Sequence, residues 1–397
     1  MGAPVYRIRC ASMTGMGELA RNLAVAGRVF KKPGLPLNLV VFVTSRCSLL
    51  CRHCFYWKEL NGKKNELTLE EYRRISSTLP NLLSVSLTGG EPYLRRDLAE
   101  IAATFAVNSR VRNIQIPSNG FLPERTVRGA EAVLREVDTA VVATGVSLDG
   151  PPEIHNRIRN HPQSFDRALE SFAGLRELKP KFPNLSVGVA ITVNRENQHV
   201  LDGFLDFVEQ ELKPDAISLT LVRGEPMEPG LRSVDPELYR RVAERVVAYR
   251  KLHPRRGATY ERMVVSKEEA VYRLVYRTMK ANRRLSPCYA GQLSGVISET
   301  GDVYPCEILD RKIGNIRDYG GDFASLWRST AAWEAYAYQR RLQCSCTYEC
   351  ALSVNVLFNR RQLVPLAIRT VLPVSKPRME KPDELAECGN ATDYSVG

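Results

Sequence analysis

The sequence predicts an α/β fold on a parallel sheet, followed by a small cysteine-rich extension. Three observations predict it. Short apolar runs alternate with helical patterns between 37 and 222, as βα units do. Six such runs are legible in that span, enough for one sheet with right-handed crossovers. Eight of the ten cysteines gather in two groups, with none from 55 to 287, which separates a second structural unit from the first.

The elements follow in order. The run 37–43 (LNLVVFV) is short and Val-rich, as a buried parallel strand is. The helix expected at 68–79 has Thr68 as cap and Glu71 three residues on, completing a capping box. Strands are expected at 83–87, 111–116, 140–148, 185–193 and 216–222, with helices at 98–107, 124–137, 165–178 and 200–211. A doubly wound sheet and a partial βα barrel both satisfy this alternation. The segments 235–252 and 267–283 read as connecting helices. The stretches 293–298 and 302–304 flank Glu299-Thr300-Gly301 and read as a β-hairpin closed by a glycine turn. The expected divisions are an N-terminal helical extension (1–34), the α/β unit (35–230), a helical connector (231–285), the cysteine-rich unit (286–360) and a tail (361–397).

Composition narrows the class. With 44% hydrophobic and 25% charged residues in 397, the chain is neither disordered nor collagen-like, and no apolar run approaches the ~20 residues of a membrane span. The first residues carry Arg7 and Arg9 without an apolar core, so no secretory signal is read and a cytoplasmic location is expected. Ten cysteines in that compartment point to metal or redox chemistry rather than disulfides. The net charge of +12 suits nucleic acid, an anionic membrane surface, an anionic substrate or solvated helix faces, the last being preferred. Arg240, Arg241, Arg245, Arg250, Arg255 and Arg256 lie on and after one helix without interleaved aromatics. That is poor support for base stacking, and no nucleic-acid partner is expected.

Cys47-x3-Cys51-x2-Cys54 follows the first strand, at the carboxyl end where parallel α/β folds bind ligands. Three thiolates at this spacing can hold one corner of an iron–sulfur cube and leave one iron open. A zinc knuckle completed by His53 is the alternative. The second strand ends in Thr88-Gly89-Gly90-Glu91-Pro92, where two glycines let a ligand approach the backbone and a carboxylate offers acceptors for an ammonium group.

CxxxCxxC followed by GGEP resembles the leading signatures of the radical S-adenosylmethionine (radical SAM) enzymes. The resemblance spans 37–224 and implies a partial (β/α)6 TIM-like barrel. It implies a [4Fe–4S] cluster on Cys47, Cys51 and Cys54 that binds SAM, and one-electron cleavage of SAM to a 5′-deoxyadenosyl radical that abstracts hydrogen from substrate. By the same resemblance Gly89, Gly90 and Glu91 face the methionine ammonium, and His53 lies near adenine. Ser118 and Asn119, at the third strand end, belong to the cofactor-binding set. Ser147, at the fourth, binds the ribose or carboxylate, and Arg167 pairs with the carboxylate unless it is an ordinary helix-surface residue. Asn194 and Arg223 are candidates of the same kind. No further catalytic side chain is assigned, and His155, His161, His199, His253, Cys10 and Cys388 are given no role.

Cys288-x12-Gly301-x4-Cys306 has the spacing that opens the SPASM and twitch extensions of this superfamily, and Cys344-x-Cys346-x3-Cys350 adds further thiols. Five cysteines cannot furnish eight ligands. One auxiliary [4Fe–4S] cluster is therefore expected on Cys288, Cys306 and two of Cys344, Cys346 and Cys350, with a zinc ribbon as the alternative. In family terms this favours dehydrogenation, crosslinking or epimerisation. Only 46 residues precede Cys47, which is short for a leader-recognition or cobalamin domain. The expected substrate is a sugar, a lipid-linked intermediate or another small molecule, and the second reading is a peptide or protein side chain. A non-catalytic iron–sulfur or zinc protein bound to nucleic acid is a third. The expected partners are the substrate and an electron donor such as flavodoxin or ferredoxin. The amphipathic pattern at 16–30 and the mixed basic–apolar stretch 357–374 admit peripheral membrane contact, although packing on the barrel is preferred.

Overall fold

The computed structural model describes residues 27–28, 34–253, 258–362, 365 and 368. Six parallel strands come first: β1 (Asn38–Thr44), β2 (Ser84–Gly89), β3 (Asn113–Ser118), β4 (Val141–Ser147), β5 (Leu185–Val193) and β6 (Ala216–Leu221). Each pairs in parallel with the next, so the six run in sequence order across the sheet. The helices between them are α1 (Leu69–Ser77), α2 (Leu98–Asn108), α3 (Pro123–Glu136), α4 (Pro152–Arg159), α5 (Ser164–Glu177) and α6 (Leu201–Phe207). Thr68 and Glu71 close a capping box on α1, with both reciprocal bonds formed. This is the partial (β/α)6 barrel. The short helix α4 has no counterpart among the expected helices, because eight residues opening on Pro151-Pro152 are too few to show a period. Asn160 ends it in a left-handed conformation, φ 57°.

Side chains alternate strictly across the sheet. On β5, Val187, Val189, Ile191 and Val193 are buried under the helices, while Ser186, Gly188, Ala190 and Thr192 face the barrel interior. β2, β4 and β6 repeat the pattern, with Ser84, Ser86 and Thr88, then Ala143, Gly145 and Ser147, then Ser218 and Thr220 turned inward. Closed barrels fill their interior with branched side chains. Here small ones leave a lumen of about 2170 Å³ that runs from the cysteine loop to the amino-terminal ends of the strands.

The connector consists of α7 (Pro236–Leu252) and α8 (Ala258–Ala281). The basic residues on it are largely neutralised in place. Arg240 pairs with Glu237 and Glu244, and Arg245 with Asp202, Asp206 and Glu209.

The hairpin forms as expected from β7 (Ser294–Ile297) and β8 (Asp302–Tyr304), antiparallel, with β9 (Gly314–Asn315) beside them. Gly301 takes φ 88°, and a Cβ there would lie 2.7 Å from Ile316 Cγ2, so the turn requires glycine. Its placement is a surprise. β7 pairs in parallel with β1, Asn38 opposite Ser294 through Val41 opposite Ile297, so the hairpin extends the barrel sheet to nine strands. The helices α9 (Phe323–Trp327), α10 (Thr330–Arg341) and α11 (Glu349–Leu357) follow. No described helix is long and apolar enough to cross a membrane. The helix expected at 16–30, apart from residues 27 and 28, lies outside the described residues, as do the chain beyond 368, Cys10, Cys388, Arg255 and Arg256.

Candidate functional site

The loop after β1 carries Cys47, Cys51 and Cys54 across the carboxyl edge of the barrel, and all three border the lumen. Asn61 clamps its start: Cys47 N donates to Asn61 Oδ1 at 2.9 Å and Asn61 Nδ2 donates to the Cys47 carbonyl at 3.2 Å. Glu66 holds the turn before it, accepting from Thr44 Oγ1 at 2.7 Å and Ser45 N at 2.9 Å. Burial pushes the Cys47 thiol up to about 12 and the Cys54 thiol up to about 11, and raises Cys51 as well. Thiols held this way stay protonated until a metal cation compensates their charge.

A cation already stands beside them. Arg159, buried at the end of α4, donates to Asp149 Oδ2 at 2.7 Å and points Nη1 at Cys51 Sγ, 3.9 Å away. Burial alone would raise the Asp149 carboxyl, but the Arg159 guanidinium outweighs it and holds the group at about 2. Asp149 also accepts from Thr192 N at 2.9 Å, which joins the β4 and β5 ends. Neither Asp149 nor Arg159 was singled out from sequence, although Ser147-Leu148-Asp149-Gly150 marked the strand end and a run with three arginines follows it. Arg167, the arginine chosen there with an ordinary helix-surface residue as its alternative, is exposed on α5, forms an ion pair with Glu170 at 3.3 Å and does not border the lumen. One turn of helix carries it outward, whereas Arg159 ends a helix that faces in.

Gly89 and Gly90 border the lumen, and their first constraint comes from the chain itself. A Cβ at residue 90 would lie 2.2 Å from the Arg46 carbonyl oxygen, and at 89 it would lie 2.3 Å from that of Thr44. Gly90 N and Glu91 N donate to those same carbonyls at 2.9 and 2.7 Å, which seats the GGE turn on the strand leading to Cys47. Glu91 itself does not face the lumen. Its buried carboxylate accepts from Asn119 N at 2.8 Å, Ser118 Oγ at 3.0 Å and Tyr93 N at 3.3 Å. Burial raises it to about 7 against those bonds. Glu91, expected by resemblance to face the methionine ammonium with Gly89 and Gly90, places its carboxylate as a clamp between the β2 and β3 ends.

Ser118 and Asn119 do border the lumen, and Asn119 Nδ2 reaches Ser48 Oγ at 3.3 Å and Cys47 Sγ at 3.6 Å. Ser147 and His53 line it too. His53 is held neutral, burial lowering it to about 4, and its Nδ1 has no partner among the described residues. Asn194 is fully buried and spent on its own turn, bonding Thr192 O and Glu196 N.

Arg223 stands between the two cysteine groups. Its guanidinium lies 4.9 Å from the Phe55 ring, next to Cys54, and 4.5 Å from the Tyr348 ring, between Cys346 and Cys350. It pairs at 3.0 Å with Glu307, next to Cys306. In the second group burial pushes Cys346 up to about 12 and Cys306 up to about 11. Cys346 also feels the charges of Cys306, Cys288 and Cys344, so these four thiols are neighbours. Cys350 is the member of the group that borders the lumen. Among the described residues no three Cys, His, Asp or Glu side chains close around a single ion.

An open parallel barrel with buried thiols at its carboxyl edge, joined to a second thiol group on the same sheet, defines a barrel protein built to hold metal clusters. Residues 41–208 match the radical SAM superfamily and 288–351 match SPASM, an iron–sulfur cluster-binding domain. The chain belongs to the radical SAM superfamily and carries a C-terminal SPASM domain. Its cofactors are accordingly a [4Fe–4S] cluster with SAM and an auxiliary iron–sulfur site. The chain is similar to the Fe-coproporphyrin III synthase of Methanosarcina barkeri, 33% identical over 46% of this chain and 43% of that protein. It is also similar to an AdoMet-dependent heme synthase of Oleidesulfovibrio alaskensis, 27% identical over 72% and 73%. A PqqA peptide cyclase of Bradyrhizobium diazoefficiens is 28% identical over 46% and 45%. Among solved structures, SuiB of Streptococcus suis bound to SAM shares the fold, with TM-score 0.57 at 18% identity over 84% of this chain and 75% of that one.

Proposed function

We propose that this protein cleaves SAM at the Cys47, Cys51 and Cys54 site and abstracts hydrogen from an anionic small molecule held in the barrel lumen. The observation that carries the reading is the lumen itself, with the three thiols at its carboxyl edge and small polar walls behind them. When bound, the cluster and SAM supply the 5′-deoxyadenosyl radical. The chain does the rest. Arg159 offsets the charge of Cys51, and Glu91 fixes Ser118 and Asn119 against the cysteine loop. Cys288, Cys306 and two of the other three thiols hold the auxiliary cluster.

For the substrate we favour a carboxylated tetrapyrrole. Heme and Fe-coproporphyrin III synthases stand among the relatives, including one matched over most of its length. The lumen exceeds the ~300–1,000 Å³ of ordinary ligand pockets, as a macrocycle requires. Basic side chains on its wall outnumber acidic ones eight to six. The sugar or lipid-linked substrate expected from sequence has no counterpart among the relatives named above. The peptide cyclase supports a peptide as the second reading. The test uses anaerobically reconstituted protein with dithionite and SAM, which should release 5′-deoxyadenosine. Supplied with coproporphyrin deuterated on its side chains, it should return deuterium in that product. No release of 5′-deoxyadenosine overturns the enzyme reading, and deuterium arriving only from a labelled peptide selects the second substrate.

A further inference from the structure

The lumen has a second end, and its positive charge gathers there. Of the eight basic side chains on the wall, Arg159 and Arg223 lie at the carboxyl edge, where Asp149 and Glu307 pair with them. The other six are Arg110, Arg112, Lys179, Lys213, Arg250 and Lys267. Arg110 and Arg112 precede β3, Lys179 precedes β5 and Lys213 precedes β6. Arg250, near the end of α7, donates to the Asp215 carbonyl at 3.1 Å, just ahead of β6. Lys267 stands on α8 beside that helix end, because Glu269 two residues on pairs with Lys251 at 3.1 Å. Four acidic side chains line the same end, and two of them are already used. Asp215 holds Lys179 and accepts from Val187 N at 2.8 Å, while Glu209 pairs with Arg245. Among the described residues the Lys213 and Lys267 side chains have no carboxylate partner.

Two of these cations stand on backbone that disfavours them. Arg110 and Lys213 take φ 50° and 46°, each three residues before its strand. The other four non-glycine residues with positive φ among those described are asparagines, which adopt that conformation more readily. A cation kept where glycine or asparagine would fit better directs attention to what its side chain meets. The rim adds apolar surface: Leu252 and Met263 border the lumen and are 77% and 42% exposed. Apolar surface set among cations matches a guest with an apolar body and carboxylates at its edge.

We propose that the amino-terminal end of the lumen is a carboxylate-anchoring subsite, in which Arg110, Lys213 and Lys267 hold one edge of the substrate while the opposite edge meets the cysteine loop. The inference rests on the tetrapyrrole reading given above. β3 runs about 17 Å from Asn113 to Ser118, so a guest anchored at the foot of the strand presents its far edge to Asn119 and Cys47. The subsite thereby selects for length as well as charge. A small acid held by the cations stays a strand length from the reacting end, whereas a macrocycle with carboxylates on both edges spans it.

The test dialyses the reconstituted full chain to equilibrium against coproporphyrin III and reads bound porphyrin by fluorescence. The triple variant Arg110→Gly, Lys213→Gly and Lys267→Gln should bind it about tenfold more weakly at low salt, about two- to threefold for each cation removed. The gap should narrow in high salt. The triple variant Arg110→Lys, Lys213→Arg and Lys267→Arg should keep wild-type affinity. Coproporphyrin tetramethyl ester, which keeps the macrocycle and loses the charge, should bind wild type and the Gly/Gln variant alike. Lys213→Gly alone should melt no lower than wild type, since glycine suits that φ, which separates weaker binding from misfolding. Equal affinity of wild type and the Gly/Gln variant for coproporphyrin III overturns the proposal, as does an equal loss for the ester. Wild type that binds neither porphyrin instead overturns the tetrapyrrole reading on which the proposal rests.

Discussion

The two cysteine groups occupy one sheet and yet live in different environments. The first sits over the lumen, with Cys51 buried against Arg159 and Asp149 and its loop clamped by Asn61, Glu66 and the GGE turn. The second begins on strands that extend the same sheet past β1 and includes an exposed thiol. Similar donors therefore meet different surroundings, one enclosed beside a fixed charge and one reaching the surface at Cys344.

Four changes test that contrast, from the largest effect to the smallest. Cys51→Ala should abolish SAM cleavage, while Cys346→Ala should lose the auxiliary iron and retain cleavage; iron content and 5′-deoxyadenosine yield read both. If either variant lost both iron sites at once, the two environments would not be independent. Arg159→Met should destabilise the chain by about 3–5 kcal/mol in denaturant unfolding, because it leaves Asp149 buried and unpaired. Acidification should then expose the charged layer behind the first group. His155 is fully buried, its Nδ1 accepts from Asp149 N at 3.0 Å, and burial holds it at about 3, below its ordinary 6.5. Since the folded state resists the proton, its contribution is complete above pH 6.5 and is lost as pH falls toward 3. The loss is about 2 kcal/mol by pH 5, to be measured as a steeper fall of Tm in wild type than in His155→Gln. Arg167→Ala should change stability by less than about 0.5 kcal/mol and leave SAM cleavage intact, since the residue is exposed and its ion pair with Glu170 is a surface one.

The sequence revealed the strands to within a few residues, because a buried sheet leaves apolar runs that nothing else mimics. The cysteine loop, Gly89, Gly90, Ser118, Asn119 and Ser147 were likewise legible as strand-end residues, and each borders the lumen. Glu91 and Arg167 show where one-dimensional reading stops. Whether a charged side chain at a strand end turns toward a ligand or toward its neighbours depends on helix phase and on the adjoining loop, and neither is local. Arg159 was missed for the same reason, its partners Asp149 and Cys51 lying 10 and 108 residues away. The parallel pairing of β7 with β1 joins residues 256 apart in sequence, Asn38 and Ser294, and no periodicity announces it. The lumen, by contrast, had a signal. Ser-Val-Ser-Leu-Thr in β2 and Leu-Ser-Val-Gly-Val-Ala-Ile-Thr-Val in β5 alternate with period two, the mark of a strand with one unpacked face.

That alternation divides each strand between two tasks. The odd-numbered residues, Val187 to Val193 on β5, bind the sheet to its helices and hold the fold. The even-numbered residues between them line the lumen. A substitution at Ser218 can therefore reshape the guest this enzyme accepts while the packing that keeps it folded stays as it was, so new specificity can be acquired residue by residue on a scaffold that does not have to be rebuilt.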